Sequence, residues 1–140
     1  MKAVIDTCVI IDVLQNREPF AKDSQAVFLL CANRRYEGFI TAKAATDIYY
    51  LTHRYTHSDK TSRKVLSDLC LLFTILDTAA IDIQKAIPAS TSDFEDAVMI
   101  ETALRANVDC IVTRNTRDYS ASPIPIYSPA EFIGLIAEEN

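Results

Sequence analysis

Hydrophobic residues along the chain form short runs that alternate with longer stretches of helical spacing. The apolar runs at 3–6, 39–41, 73–76 and 110–113 have the length of short buried strands, and 124–127 is a possible fifth. Between them, apolar positions recur every three or four residues, which predicts helices at about 8–15, 19–36, 43–57, 59–71, 79–87, 93–106 and 129–138. This alternation is typical of a three-layer α/β/α sandwich with a mainly parallel central sheet.

Capping and breaking residues set the ends of several predicted helices. Thr7 suits the start of the first helix, Pro19 that of the second and Ser58 that of the fourth. The segment Ser92-Asp93-Phe94-Glu95 has the form of a capping box, an acceptor followed three residues later by Glu. We therefore expect it to open the sixth helix.

Length and composition bound the class of protein. A chain of 140 residues is expected to form a single domain, 1–140, with its own core. No apolar run is long enough to span a bilayer, so a cytoplasmic protein without membrane contact is expected. Two glycines exclude a P-loop and a dinucleotide fingerprint. The cysteines form no CxxC pair and are expected to be buried, reduced thiols: Cys8, Cys31, Cys70 and Cys110.

Acidic residues fall near the predicted carboxyl ends of the strands, where parallel sheets place their functional crevice. Asp6 continues the first apolar run, and Asp47 lies early in the helix after the second. Asp93 and Asp96 lie in the first turn of the helix before the fourth run, and Asp118 follows that run. We expect these acids to converge at one edge of the sheet.

A group of carboxylates in one pocket favours a bound cation. Buried charges without compensation are costly, so such a group persists by taking up protons or by binding a divalent ion. Oxygen ligands without cysteine or histidine favour Mg²⁺ or Mn²⁺ over zinc. An ion held there can activate water for in-line attack on a phosphodiester, although the net charge of −5 argues against simple electrostatic binding of nucleic acid.

Structural roles are open alternatives for several of these acids. Asp93 could serve only as a helix cap, Asp118 could begin a turn, and Asp47 could be an ordinary acid on a helix face. Asp12 lies within the first predicted helix and is expected to be solvated or salt-bridged, outside the site. Asp6 is the hardest to assign to structure alone, because neither a cap nor a surface face explains an acid that continues an apolar strand.

Three segments together resemble the PIN domain family. VIDTCVIIDVL (4–14) resembles its opening motif, a strand that ends in a metal-binding Asp followed by Thr or Ser. SDFEDAVMIETALRANVDCIVTRNTRDY (92–119) is similar to its second signature, in which an Asp opens a helix that is followed by a strand and a T-R-N/D-x-x-D-F/Y run. ITAKAATDIYYLTHR (40–54) is similar to the segment in which a helix supplies another acid.

The resemblance implies a metal-dependent endoribonuclease, often the toxin half of a toxin–antitoxin pair of the VapC kind. It implies Mg²⁺ or Mn²⁺ as cofactor, and as partners an RNA substrate, an antitoxin protein and a second copy of the chain in a homodimer. Catalytic and metal-binding roles carry over by position to Asp6, Asp47, Asp96 and Asp118, with Asp93 or Asn115 as substitutes.

Two other functions compete with the nuclease. The family usually has Glu where this chain has Asp47 and often has Asp where it has Asn115, which allows a PIN-like module that binds RNA or protein without catalysis. A phosphatase with Asp6 as nucleophile is disfavoured, because Cys8 stands where such enzymes need a second acid.

Further residues have possible supporting roles. Thr7 and Thr113 could hydrogen-bond carboxylates, while Lys43, Arg114 and Arg117 could contact RNA phosphates or be ordinary surface cations. His53 and His57 are four apart on a predicted helix, a spacing that permits a zinc contact. The predicted helix pair at about 43–71 could form a partner or dimer surface, or its tyrosines could simply pack at the core and its boundary: Tyr49, Tyr50 and Tyr55. We expect the histidines to lie on an exposed helix face, since no third zinc ligand is near.

Overall fold

One sheet of five parallel strands organises the fold. The computed structural model describes residues 1–91 and 93–139. The strands are β1 (Lys2–Ile5), β2 (Glu37–Thr41), β3 (Thr74–Leu76), β4 (Cys110–Val112) and β5 (Ile126–Tyr127). They pair in the order β3-β2-β1-β4-β5, and each pairing is parallel. The strand at the centre is therefore β1, whose end carries Asp6.

Helices cover the sheet between the strands. Within the described residues they are α1 (Thr7–Leu14), α2 (Ala21–Ala32), α3 (Ala42–Thr56), α4 (Asp59–Leu72), α5 (Ala80–Ala86), α6 (Phe94–Arg105) and α7 (Pro129–Glu138). A short 3₁₀ helix at Thr116–Tyr119 follows β4 and was not predicted. The other elements lie where the pattern of apolar positions predicts them, with shifts of a few residues at their ends.

The two faces of the sheet bury different sets of side chains. Along β1, Ala3 and Ile5 join a core formed with α1, α2, α3, α4 and α7. Val4 points the other way, into a core formed with α6. This alternation follows from the period of two in a strand, and it gives the three-layer architecture that the sequence predicts.

The second helix is shorter than predicted at both ends. Residues 18–20 form a turn, so the helix begins at Ala21 instead of Pro19. It ends at Ala32, because Arg34 adopts a left-handed conformation with φ of 58° that a continuing helix does not allow. The predicted extension to residue 36 is therefore wrong.

The helix caps agree with the sequence in part. Ser58 caps α4 as predicted, accepting a hydrogen bond from the amide of Thr61 at 3.1 Å. The first helix is capped by Asp6 instead of Thr7, since the Asp6 carboxylate accepts from the Thr7 amide at 2.8 Å. Ser92, predicted to cap α6, lies outside the described residues, and Asp93 is the N-cap of that helix.

The cysteines are free thiols, but one of them is not buried. Cys31 and Cys110 are buried and Cys8 is half-buried, whereas Cys70 is exposed on α4. The expectation of burial fails at Cys70 because α4 turns Leu69 into the core and Cys70 and Leu71 toward solvent. Within the described residues, no helix is both long and apolar enough to cross a membrane.

Candidate active site

The carboxyl edge of the sheet holds a cavity of about 330 Å³ lined by acids from three elements. Asp6 comes from the end of β1, Asp47 from the helix after β2, and Glu95 and Asp96 from the first turn of α6. Parallel strands bring these elements to the same edge, as the sequence predicts for the three aspartates. The sequence pattern predicts only a helix-cap role for Glu95, and its position beside Asp96 in the first turn of that helix is the signal for its place in the cavity.

Asp6 is held by hydrogen bonds from both neighbouring chain segments. The pairing of Ile5 with Val112 sets Thr113 beside it, and the Thr113 hydroxyl donates to Asp6 Oδ2 at 2.7 Å. The Thr7 amide donates to Oδ1, and the Cys8 thiol lies 3.5 Å from Oδ2. Burial raises the pKa of Asp6 although these bonds act to lower it. The sequence argument that a helix cap does not explain Asp6 is therefore wrong, since Asp6 caps α1. Within the described residues, however, no group of opposite charge is bonded to its carboxylate.

Asp96 lies in the same cavity and is also hard to ionise. Burial is the main cause that raises its pKa to about 6, and the charges of Asp93, Asp6 and Asp118 add to it. The buried Tyr119 hydroxyl donates to Asp96 Oδ1 at 3.0 Å, which favours the charged form. Sequence reasoning missed Tyr119, although it is the last residue of the T-R-N/D-x-x-D-F/Y run.

Asp47 is already paired with a cation of the chain. Lys43 Nζ lies 2.5 Å from Asp47 Oδ2, one helical turn away, and 3.0 Å from Glu95 Oε1. Partial burial opposes the charge on the lysine, but its bonds to both carboxylates raise the pKa of Lys43 overall. The ammonium group therefore links α3 to α6 across the cavity, and Lys43 is a half-buried, paired cation.

The remaining predicted acids lie around the rim. Asp118 is exposed in the 3₁₀ helix and acts on Asp96 through its charge. Asp93 is exposed, and its Oδ1 accepts from the Asp96 amide at 3.1 Å, so it has at least the capping role. Asn115 and Arg117 are also exposed, and the Asn115 amide donates to the Thr113 hydroxyl oxygen at 3.1 Å.

Arg114 binds an acid outside the cavity. Its Nε and Nη2 donate to the two carboxylate oxygens of Asp12 at 2.8 and 3.0 Å, and Asp12 is fully buried. The guanidinium also lies over the Phe20 ring, 4.2 Å from its centroid. The salt-bridged alternative for Asp12 is confirmed and the solvated one is wrong. Arg114 is accordingly half-buried in a structural ion pair.

The histidines and tyrosines at 49–57 differ in their exposure to solvent. His53 stacks on the Tyr49 ring, with centroids 5.8 Å apart, and both are half-buried. His57 is exposed at the end of the helix. Tyr50 and Tyr55 are 66% and 64% exposed, so packing in the core is wrong for these two residues.

The chemistry of the cavity fits a hard divalent cation. In residues 1–91 and 93–139, no three acidic, histidine or cysteine side chains form a ready metal-binding group. Asp6 and Asp96 nevertheless share one cavity, and both have raised pKa values that a divalent ion would lower. Their oxygens are the ligands preferred by Mg²⁺ and Mn²⁺.

Comparison with solved structures places the fold beside several toxin–antitoxin proteins. A chain of a toxin–antitoxin complex from Klebsiella pneumoniae is 18% identical, with a TM-score of 0.67 over 91% of this chain and 97% of that one. A chain of DNA-bound VapBC from Salmonella typhimurium is 19% identical, with a TM-score of 0.65 over 92% and 98%. A sarcin–ricin loop cleaving VapC toxin from Mycobacterium tuberculosis is 10% identical, with a TM-score of 0.62 over 78% and 86%.

These likenesses concern the fold, and membership of a family rests on the sequence. No curated protein matches the chain. The family model of the PIN domain matches residues 2–117, which include the opening motif, the middle segment, all but the last two residues of the second signature, and the acids that line the cavity. The chain belongs to the PIN domain family.

Proposed function

We propose that this protein is a metal-dependent endoribonuclease that hydrolyses RNA phosphodiester bonds. The observation that carries the proposal is the pair of acids in one cavity at the end of the central strand, Asp6, which is buried, and Asp96, which is half-buried. Within the described residues neither carboxylate forms an ion pair, and both resist ionisation. Such a pair costs stability unless a cation is bound, so its presence favours a functional site over a structural one.

The family and its structural neighbours support the nuclease. PIN domains are generally nucleases and typically use divalent metals. One structural neighbour is a toxin that cleaves the sarcin–ricin loop, which is the reason to choose RNA as substrate. Others are toxin–antitoxin complexes, and we extend the proposal to an antitoxin partner for this chain. The expected homodimer and cytoplasmic location belong to the same proposal.

Each residue of the site has a different role in the proposed reaction. Asp6 and Asp96 would hold Mg²⁺ or Mn²⁺, with Asp118 nearby at the rim. A bound ion would supply Lewis-acid polarisation of a phosphoryl oxygen and an activated water for in-line attack. Thr113 fixes the orientation of Asp6 and Tyr119 that of Asp96. Lys43, linked to Asp47 and Glu95, places a positive charge in the cavity where a phosphate of the substrate enters.

Loss of these two acids tests the proposal. Asp6→Asn and Asp96→Asn should each reduce Mg²⁺- or Mn²⁺-dependent cleavage of a labelled RNA on the order of 100-fold, because each removes charge that binds the ion. Asp68→Asn is the matched control, since Asp68 is an exposed acid on α4 paired with Lys64. Undiminished cleavage by the Asp6→Asn protein would contradict the proposal.

A binding module without catalysis is the second candidate. The engagement of Asp47 by Lys43 and the amide at Asn115 favour it, because both reduce the negative charge offered to an ion. Calorimetric titration with Mn²⁺ separates the two functions. The nuclease should bind Mn²⁺ in a manner that Asp6→Asn and Asp96→Asn abolish, whereas the module should bind RNA without binding the ion.

A further inference from the structure

One face of α3 extends from the acid cavity into a second cavity. Its residues recur at spacings of three and four, and we call them the α3 stripe: Lys43, Asp47, Tyr50, Leu51, Arg54 and Tyr55. The first four line the acid cavity, and the last three line a cavity of about 290 Å³ together with Gln15 and Arg17. Leu51 lines both, so the two cavities adjoin. The stripe runs about 18 Å along the helix axis.

The second cavity carries positive charge. Arg17 and Arg54 are exposed there, and no carboxylate lines it in the described part of the chain. Arg17 is held in place by donating from Nε and Nη2 to Gln15 Oε1 at 3.2 and 2.9 Å. In a protein with net charge −5, two arginines beside the proposed catalytic cavity form a local site for phosphate groups.

The exposed aromatic rings of the stripe suit stacking with unpaired bases. Tyr50 is 66% exposed and lines the acid cavity, while Tyr55 is 64% exposed and lines the second one. The Tyr50 ring makes an edge-to-face contact with Tyr49, at 5.7 Å and 80°, and the Tyr49 hydroxyl donates to Asp59 on α4. This contact restricts the Tyr50 ring on one side and leaves its other surface open for a base to stack.

We propose that the α3 stripe is a track for single-stranded RNA. Unpaired bases stack on Tyr50 and Tyr55, phosphates contact Arg17 and Arg54, and the strand enters the acid cavity beside Lys43. Charge complementarity and continuity with the acid cavity favour RNA over a protein segment as the occupant. The inference rests on the proposed function and adds to it the surface beside the acid cavity, and the residues of that surface, that bind the strand.

Binding to the uncleaved RNA tests the track directly. The Asp6→Asn protein should bind a short fluorescein-labelled single-stranded RNA more tightly than the same RNA annealed to its complement, measured by fluorescence anisotropy. In that background, Tyr50→Ala and Tyr55→Ala should each weaken single-strand binding at least about fivefold, because a stacked base contributes about 1–3 kcal/mol. Tyr50→Phe and Tyr55→Phe keep the ring and should bind within about twofold of the parent.

The two arginines are tested by the salt dependence of RNA binding. Arg17→Ala and Arg54→Ala should each reduce the slope of log K against log salt by about 0.7 for a single strand, because one phosphate contact is lost. Leu71→Ala and Lys60→Ala are controls on α4, where both residues are exposed and lie outside the stripe. These variants should leave affinity and salt slope unchanged.

Three results would overturn the track. The first is equal affinity for the single strand and the duplex, and the second is unchanged binding by both tyrosine-to-alanine variants. The third is a change in the oligomeric state of these variants on sedimentation while RNA binding stays intact, which would make the stripe an interface between copies. The RNA track can be wrong while the proposed nuclease activity is right, if the tyrosine variants bind RNA normally and Asp6→Asn abolishes cleavage. The proposed nuclease activity can be wrong while the RNA track is right, if the wild-type protein binds RNA through both tyrosines but never cleaves it.

Discussion

Two buried aspartates of this protein, Asp82 and Asp6, differ in the charge that faces them. Asp82 is 1% exposed and accepts hydrogen bonds from the Ala79 amide, the Thr102 hydroxyl and the Arg105 guanidinium. Burial opposes its ionisation, but these bonds prevail and lower its pKa. Asp6 is 9% exposed and also accepts several hydrogen bonds, yet its pKa is raised. An arginine is bonded to Asp82 and no opposite charge is bonded to Asp6, and this difference accompanies the opposite directions of the two pKa shifts.

The same division by charge partner extends to buried Asp12 and half-buried Asp96. Asp12 is fully buried and has Arg114 bonded to both oxygens, so it resembles Asp82. Asp96 has a hydrogen bond from Tyr119 and a raised pKa, so it resembles Asp6. Acids with an arginine lie between helices and connecting segments, where they tie the fold together. The two acids without an arginine share the cavity at the end of β1, where a bound cation would supply the missing positive charge.

Breaking an arginine pair should have the largest effect on stability. Arg114→Ala leaves the Asp12 carboxylate buried without compensation, and the free energy of unfolding should fall by about 3–5 kcal/mol. Arg117→Ala, an exposed arginine of the same segment, should change it by less than about 0.5 kcal/mol. Urea denaturation of both variants checks the pair. Equal stability of the two proteins would show that Asp12 does not need its partner.

Neutralising an acid of the cavity should act in the opposite direction. Asp96→Asn should raise the free energy of unfolding by about 1 kcal/mol at pH 8 without added metal, because ionising a partly buried carboxyl with a raised pKa costs stability. The raised pKa means that this cost is absent below about pH 4 and complete above about pH 6, so the gain should vanish as the pH falls through that interval.

Asp82→Asn is the matched comparison, and it should destabilise the protein over the same range of pH. It removes the charge that faces Arg105, so its effect should be complete above about pH 4 and should disappear only as the pH falls through the lowered pKa of Asp82. If Asp96→Asn and Asp82→Asn both destabilise to the same extent at pH 8, the division between the two kinds of buried acid is wrong.

The smallest effect is expected at the hydroxyl of Tyr119. Tyr119→Phe removes the donor to Asp96 but keeps the buried ring, so the pKa of Asp96 should rise above about 6 by less than about one unit. NMR titration of the Asp96 carboxyl measures the change. Tyr127→Phe on β5 is the control and should leave that pKa unaltered. An unchanged value in Tyr119→Phe would mean that the hydrogen bond has no part in tuning Asp96.

Local patterns in the sequence predicted most of the fold. The apolar runs that became β1, β2 and β4 and the periodic helices between them are stretches whose side chains face the core, so their spacing records the structure. Predictions failed where backbone conformation at one residue decided the outcome. The early end of α2 at Arg34 and the capping of α1 by Asp6 are both of this kind.

The candidate site was predictable as a set of acids and not as a set of contacts. Parallel strands bring Asp6, Asp47 and Asp96 to one edge, which the order of elements already implies. The pairing of Arg114 with Asp12 joins residues 102 positions apart, and no local pattern encodes it. The spacing of four between Lys43 and Asp47 is a local pattern, but the link from Lys43 to Glu95 and the bond from Tyr119 to Asp96 depend on the packing of α3, α6 and the 3₁₀ helix around the cavity.

The bond between Thr113 and Asp6 has a consequence for synthesis of the protein. The two residues are 107 positions apart, and β4 pairs with β1 only after the intervening helices and strands have been made. Tyr119, which holds Asp96, emerges later still. A nascent chain on the ribosome therefore carries Asp6 long before it can assemble the site. For a protein proposed to cut RNA, this order delays activity until most of the chain has left the translating machinery.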